Sequence, residues 1–265
     1  MLDVGLAGKT AIVTGASAGI GFASAKALFA EGVNVVIVAR TQLETAATSI
    51  GEDKDNNGQN EVLPVPADLT KADSAERVVQ TAADHFGKID ILVNCAGAAR
   101  AGAFLELSDQ DFLDAWSLKL LGYIRMVRQV APQMTQHKDG RIVNIVGAAG
   151  RTPPATFLAG STANAALINF TRGISKELAQ HNIRINAISP GPTATERATR
   201  LAKQTAQARN MSVEDVLAES ARSMPLGRMI KPGEVAALVL FLVSDLAAGI
   251  TGTEILIDGG QTPGT

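Results

Sequence analysis

Apolar runs of strand length recur from one end of the chain to the other, and between them apolar residues return at helical spacing. The runs are TAIVT (10–14), VNVVIVA (33–39), EVLPVPA (61–67), ILVNC (91–95), RIVNIV (141–146), RINAIS (184–189) and GTEILID (252–258). Most are unbroken Val, Ile and Leu, with no apolar–polar alternation, which is how strands read when helices cover both their faces. Segments such as GFASAKALFAEG (21–32) and KADSAERVVQTAADHFG (71–87) supply the helices. The rhythm predicts an α/β chain, a doubly wound and mostly parallel sheet of about seven strands with helices on both faces. No shift in composition divides it, so residues 1–265 read as one domain. GEDKDNNGQ (51–59) reads as a solvated polar loop. ERATRLAKQTAQARNMSVEDVLAESAR (196–222) reads as a helical insert ahead of the last strand, either covering a substrate or standing as a solvated helical pair.

Composition narrows the function classes. The chain has 265 residues, 46% of them hydrophobic, and a mean hydropathy of +0.14, enough for a sizeable core. A net charge of −2 and a pI near 6.0 leave no basic footprint, so no nucleic-acid partner is expected. Cys95 is the single cysteine, which rules out an internal disulfide and suits a reducing compartment. The opening MLDVGLAGKTAIVTG lacks the pattern of a cleaved leader, and no apolar run reaches the ~18 residues that span a bilayer. The expectation is a soluble, cytoplasmic protein without a membrane partner. His85, His137 and His181 share no metal-ligand spacing, and no metal is expected.

Chemistry enters at TAIVTGASAGIGFASAKALFAEG, where Gly15, Gly19 and Gly21 follow a strand and open a helix. Glycines there let the backbone approach a pyrophosphate, and the helix N-terminus offers free N–H groups and the positive end of its dipole. The strand–turn–helix context makes this a dinucleotide-binding (Rossmann) signature. The second strand ends in Ala39-Arg40, with no carboxylate to accept from a ribose 2′-hydroxyl and a guanidinium able to pair with a 2′-phosphate. NADP(H) is therefore favoured over NAD(H).

The spacing T-G-x-x-x-G-x-G, with Asn94-Cys95-Ala96-Gly97, Pro190-Gly191 followed by Thr195, and Asp258-Gly259-Gly260, resembles the short-chain dehydrogenase/reductase family over nearly the whole chain. The resemblance implies that Asp68 lies near the adenine, Asn94 and Gly97 along the ribose, and Thr193 and Thr195 beside the nicotinamide carboxamide. It also assigns Ser17, Ile20, Leu69, Ala96, Pro190 and Gly191 to the cofactor wall. It implies a small-molecule carbonyl or alcohol substrate and a homodimer or homotetramer, built through segments such as 110–137 and 156–180.

Family members of this kind use a serine, a tyrosine, a lysine four residues after it and a helix asparagine. Alignment by neighbouring residues puts Gly147, Gly160, Asn164 and Lys119 at those four places. A tyrosine–lysine spacing like that of related enoyl reductases would use Phe157, which also lacks a hydroxyl. The resemblance therefore marks an atypical member. Losing a positioned general acid costs about 10²–10⁴ in rate.

Lys119 is the candidate replacement. It is the one charge in WSLKLLGYI (116–124), a stretch apolar enough to be buried as a helix. Desolvation there would lower its pKa and make it a usable acid or base; otherwise the side chain snorkels to solvent. Tyr123, the only tyrosine, follows at i+4 and either forms a lysine–phenol pair with it or packs in the core. Asn164 could hold the ribose in the absent lysine's place. Ser161 and Arg151 are further nearby candidates, and Cys95 reads as apolar filler. The favoured reading is an NADP(H)-dependent oxidoreductase with Lys119, Tyr123 and Asn164 in the catalytic set. A silent NADP(H)-binding subunit and a non-redox lyase or isomerase remain alternatives.

Overall fold

A computed structural model describes residues 4–52 and 60–263. Residues 53–59 of the predicted polar loop lie outside the described residues. All seven predicted strands are present, each within two residues of its expected ends. They are β1 (Thr10–Thr14), β2 (Asn34–Ala39), β3 (Val62–Pro66), β4 (Ile91–Asn94), β5 (Gly140–Ile145), β6 (Ile183–Pro190) and β7 (Glu254–Ile257). The sheet order is β3-β2-β1-β4-β5-β6-β7, and every neighbouring pair is parallel.

Side chains alternate across the sheet into two apolar layers. Ala11, Val13, Val35 and Ile37 face α1 (Gly19–Ala30), α2 (Leu43–Gly51) and α9 (Pro232–Val243). Ile12, Val36, Val38 and Leu92 face α3 (Ser74–Phe86), α5 (Gly122–His137) and α6 (Leu158–Ala179). Because both faces are dry, the strands carry continuous Val/Ile runs, and each buried side chain contributes about 1.5–3 kcal/mol. The order reverses between β1 and β4, so the loops leaving their C-terminal ends diverge and open a crevice.

Two features aim groups at that crevice. The helix carrying Lys119 starts as α4 (Asp109–Ala115), closed by a capping box in which Ser108 and Asp111 bond reciprocally. It widens into a π-helical turn over Trp116–Leu121 and resumes as α5. The insert folds as α7 (Glu196–Arg209) and α8 (Val213–Arg222), joined through Ala202, Ala206 and Val216. Among the described residues, no helix is long and apolar enough to cross a membrane.

The last strand is locked by a buried carboxylate. The Glu254 side chain, 1% exposed, accepts from Arg151 Nε at 2.8 Å, Arg172 Nη2 at 3.4 Å and Ser189 Oγ at 2.7 Å. Removing it strands two cations and a hydroxyl. Glu254→Ala should cost roughly 2–4 kcal/mol of unfolding free energy, read as a lower urea midpoint with unchanged slope.

Candidate active site

The glycine loop is shaped by close packing before any ligand is considered. Gly15 has φ +67, and a Cβ on it would stand 2.8 Å from the Ala96 nitrogen and Cα. A Cβ on Gly21 would overlap the Gly15 carbonyl. Thr14 Oγ1 accepts from Cys95 N at 3.0 Å and Ala96 N at 3.2 Å, tying the loop after β4 to the end of β1. Ala18, the residue before α1, makes no side-chain cap. The amides of Gly19 and Ile20 at the start of α1 therefore meet no capping side chain and can receive a diphosphate, whereas the Gly21 amide faces the Cys95 thiol. This arrangement fits a dinucleotide. Asn94 Nδ2 donates to Asn144 Oδ1, and Asn144 Nδ2 to Thr171 Oγ1, both at 3.0 Å, fixing β4, β5 and α6 beneath the loop.

Arg40 is exposed just after β2, and Asp68 follows β3. Two donations from Thr70, with Arg40 and Lys71 nearby, hold the Asp68 carboxyl below its usual range. Leu69 is buried beside it. On the other side, Thr193 Oγ1 donates to the Gly191 carbonyl at 2.9 Å, and Thr195 caps α7 by accepting from Ala198 N at 3.3 Å.

Between these walls lies a cavity of about 710 Å³. Ile20, Gly97, Pro190, Gly191, Thr193 and Thr195 line one side of it. Leu201, Thr205, Val216 and Leu217 of the two-helix insert close over the other. The insert is thus a wall of the cavity and not a solvated pair.

Lys119 enters this cavity from the π-helical turn. Its stem lies across Gly97, where an added Cβ would come within 3.2 Å of Lys119 Cδ. Its ammonium donates to the Val146 carbonyl at 2.5 Å. Desolvation, helped by the Arg197 cation, lowers the amine's pKa to about 8. Cys95 shares the cavity wall, but burial pushes its thiol up to about 11, so it stays neutral. The cysteine is part of the site, though not as a nucleophile.

Tyr123 belongs elsewhere, which corrects its place in the catalytic set. It is fully buried, lies outside the cavity lining, and donates its hydroxyl to the Ile145 carbonyl at 3.0 Å. Burial raises its phenol well above the ordinary value. Of the two readings of Tyr123, packing in the core holds and the lysine–phenol pair does not form, because the two side chains serve successive carbonyls at the end of β5, Ile145 and Val146. Arg151 is committed to Glu254, and Ser161 Oγ donates to the Leu158 carbonyl.

Asn164 lines the cavity, 3% exposed, and its Oδ1 has no hydrogen-bond partner among the described residues. Gly147 lies directly against it. Gly147 has φ +140, and a Cβ there would approach Asn164 Nδ2 to 2.9 Å. A serine at that place would be strained by the backbone and blocked by the amide. The second substitution pair is analogous, since a Cβ on Gly160 would overlap the Phe157 ring. Phe157 fills the space beside the helix where a tyrosine would have to start. Each glycine thus fits a bulkier neighbour: Gly147 accommodates Asn164, and Gly160 accommodates Phe157.

Arg197, in the first turn of α7, was not singled out from the sequence. It lines the cavity and donates from Nη1 to the Gly97 carbonyl at 3.1 Å. Its signal was present, because a cation in the first turn of a helix opposes the helix dipole.

A family model described as enoyl-(acyl carrier protein) reductase matches residues 15–262. The oxidoreductase UcpA of Salmonella typhimurium is 36% identical over 261 residues, covering 97% of this chain and 95% of that protein. A 3-oxoacyl-[acyl-carrier-protein] reductase of Synechocystis is 36% identical over 257 residues, covering 97% and 98%. L-sorbose reductase from Gluconobacter frateurii, solved with NADPH and L-sorbose, superimposes with a TM-score of 0.93 at 30% identity over 100% of both chains. The chain belongs to the short-chain dehydrogenase/reductase family.

The packing around Gly160 yields a test. Gly160→Tyr should lower the melting temperature by overpacking against Phe157, at a cost of about 1–3 kcal/mol. The double variant Gly160→Tyr with Phe157→Ala should recover part of it. Additive losses in that cycle would show that the two residues are not coupled.

Proposed function

We propose that the chain is an NADP(H)-dependent oxidoreductase that interconverts a small-molecule carbonyl and its alcohol, with Lys119 as the proton-transferring group. The observation that carries the reading is the Lys119 ammonium inside a cavity that also contains the glycine-loop wall and the Pro190–Thr195 segment. When bound, a nicotinamide coenzyme supplies or accepts a hydride. Gly15, Ser17, Gly19, Ile20 and Gly21 form the turn for its diphosphate. Asn94, Ala96 and Gly97 with Pro190, Gly191, Thr193 and Thr195 flank the rest, and the partnerless Oδ1 of Asn164 is an acceptor for a ribose hydroxyl. NADPH bound to the L-sorbose reductase neighbour supports the same use here.

In the reduction direction, the ammonium of Lys119 hydrogen-bonds the substrate carbonyl oxygen and stabilises the negative charge that develops there. As the carbonyl carbon gains a hydride, that oxygen takes the proton from Nζ. The neutral amine left behind recovers a proton from water. A pKa of about 8 keeps Lys119 mostly protonated at neutral pH yet able to release the proton. Asn164 positions and carries no charge. Phe104, Leu105, Leu113 and Leu121, exposed apolar residues in and around α4 and the π-helical turn, support self-association as a homodimer or homotetramer.

Lys119→Met should lower carbonyl reduction with NADPH by about 10²–10⁴-fold, and wild-type kcat/KM should fall as pH rises through about 8. Undiminished turnover in the variant, or NADPH binding without turnover of any carbonyl or alcohol tried, would overturn the assignment. Stability offers an independent check on the amine. Its folded pKa lies below the ordinary 10.5, so the unfolded chain binds more protons between about 8 and 10.5. Wild type should therefore gain stability relative to Lys119→Met across that window as pH rises.

Arg40 is proposed to pair with the 2′-phosphate. NADPH should bind at least about tenfold more tightly than NADH, and Arg40→Ala should close most of that gap in a fluorescence titration. Equal affinities in the wild type would remove the NADP(H) preference.

A further inference from the structure

The cavity holds two cations and no counter-charge. Lys119 and Arg197 both line it, whereas no aspartate or glutamate does. Neither forms an ion pair with a carboxylate among the described residues, and what sets the two apart is that both line the same cavity. The two cations converge on one residue. Lys119's stem lies on the Gly97 Cα side, and Arg197 donates to the Gly97 carbonyl with one guanidinium nitrogen, leaving the rest of its fork free of any protein carboxylate.

Arg197 gains nothing as a helix residue, since it stands in the first turn of α7 where the dipole disfavours a cation. Arg197 is exposed at the mouth of the cavity and Lys119 lies deeper, beside an apolar wall of Phe157, Leu201, Val216, Leu217 and Met229, so an anion entering the cavity meets both cations in turn. We infer that the substrate is an oxo acid or hydroxy acid. Its carboxylate is held by Arg197, its carbonyl or hydroxyl oxygen meets Lys119, and its apolar remainder lies under the α7–α8 lid. This assignment deepens the oxidoreductase reading and rests on it for the role of Lys119. The diphosphate of a coenzyme is the other anion within the site, but the amides at the start of α1 already serve it.

The test is equilibrium binding by titration calorimetry, which needs no turnover. Benzoylformate and benzoylacetate, each paired with its methyl ester, are titrated into wild type, Arg197→Met and Arg197→Lys, in free protein and in protein saturated with NADP⁺. At least one acid should bind wild type about tenfold or more tightly than its ester. Arg197→Met should abolish that preference, and Arg197→Lys should retain part of it. Arg197→Met should leave NADP⁺ affinity within about twofold, with an unchanged melting curve. Equal binding of acids and esters, or no binding of either, overturns the inference. So does a loss in Arg197→Met that falls on NADP⁺ affinity and spares the acid-to-ester ratio, since Arg197 would then serve the coenzyme. Acid preference in the free protein without any NADP⁺ binding would sustain the anion site while removing the coenzyme reading.

Discussion

An ammonium group taken out of bulk water without a carboxylate beside it has to be solvated by something else, and the site is organised around how Lys119 meets that demand. One of its protons goes to the Val146 carbonyl at the end of β5. The others face a cavity with neutral walls and a second cation. A paired lysine would be inert ballast at an ordinary pKa. This one is held at about 8 by desolvation, with the repulsion of Arg197 adding to it. The proposed proton transfer and the inferred anion preference both draw on this same shortage of counter-charge.

Keeping the amine there requires support on three sides. Gly97 lets the stem pass because it has no side chain, and any Cβ at that place would crowd Lys119 Cδ. The π-helical turn over Trp116–Leu121 sets the direction of the stem, and such turns recur at functional positions because one extra residue re-aims a helix face. Tyr123 then ties the following helix to Ile145, one carbonyl before the one Lys119 uses. The phenol thus fixes the helix that follows the lysine. Across the cavity, Gly147 against Asn164 and Gly160 against Phe157 form complementary pairs, so a side chain added to either glycine alone meets a filled space.

The architecture was legible because burial on both faces leaves a plain mark, long runs of Val and Ile closed by glycine turns. The glycine loop was legible for the same reason, since its constraint is steric and local. The π-helical turn was not. It depends on i→i+5 backbone hydrogen bonds, and WSLKLL carries no residue type that demands them. The i+4 spacing brings Tyr123 beside Lys119 only on an uninterrupted α-helix, which the π-helical turn is not. Phe157 was considered only for its missing hydroxyl, when its contribution is volume. Arg197 lay in a stretch read for its helical periodicity, and its conflict with the helix dipole was the available signal.

Charge placement also bears on why this part of the cavity wall is helical. A mobile loop could deliver a guanidinium to the cavity mouth only by losing the conformational freedom of every residue it orders. In α7 that cost is met by folding, through the Thr195 cap and the Ala202–Ala206–Val216 contact with α8. Arg197 is thereby presented two residues after a segment that also lines the cavity, Thr193–Thr195. The group that would recognise an anionic substrate and the wall that would hold the coenzyme are consecutive in the chain. If both assignments hold, a shift of the Thr193–Thr195 wall would carry Arg197 with it, because the two are joined through the first turn of α7.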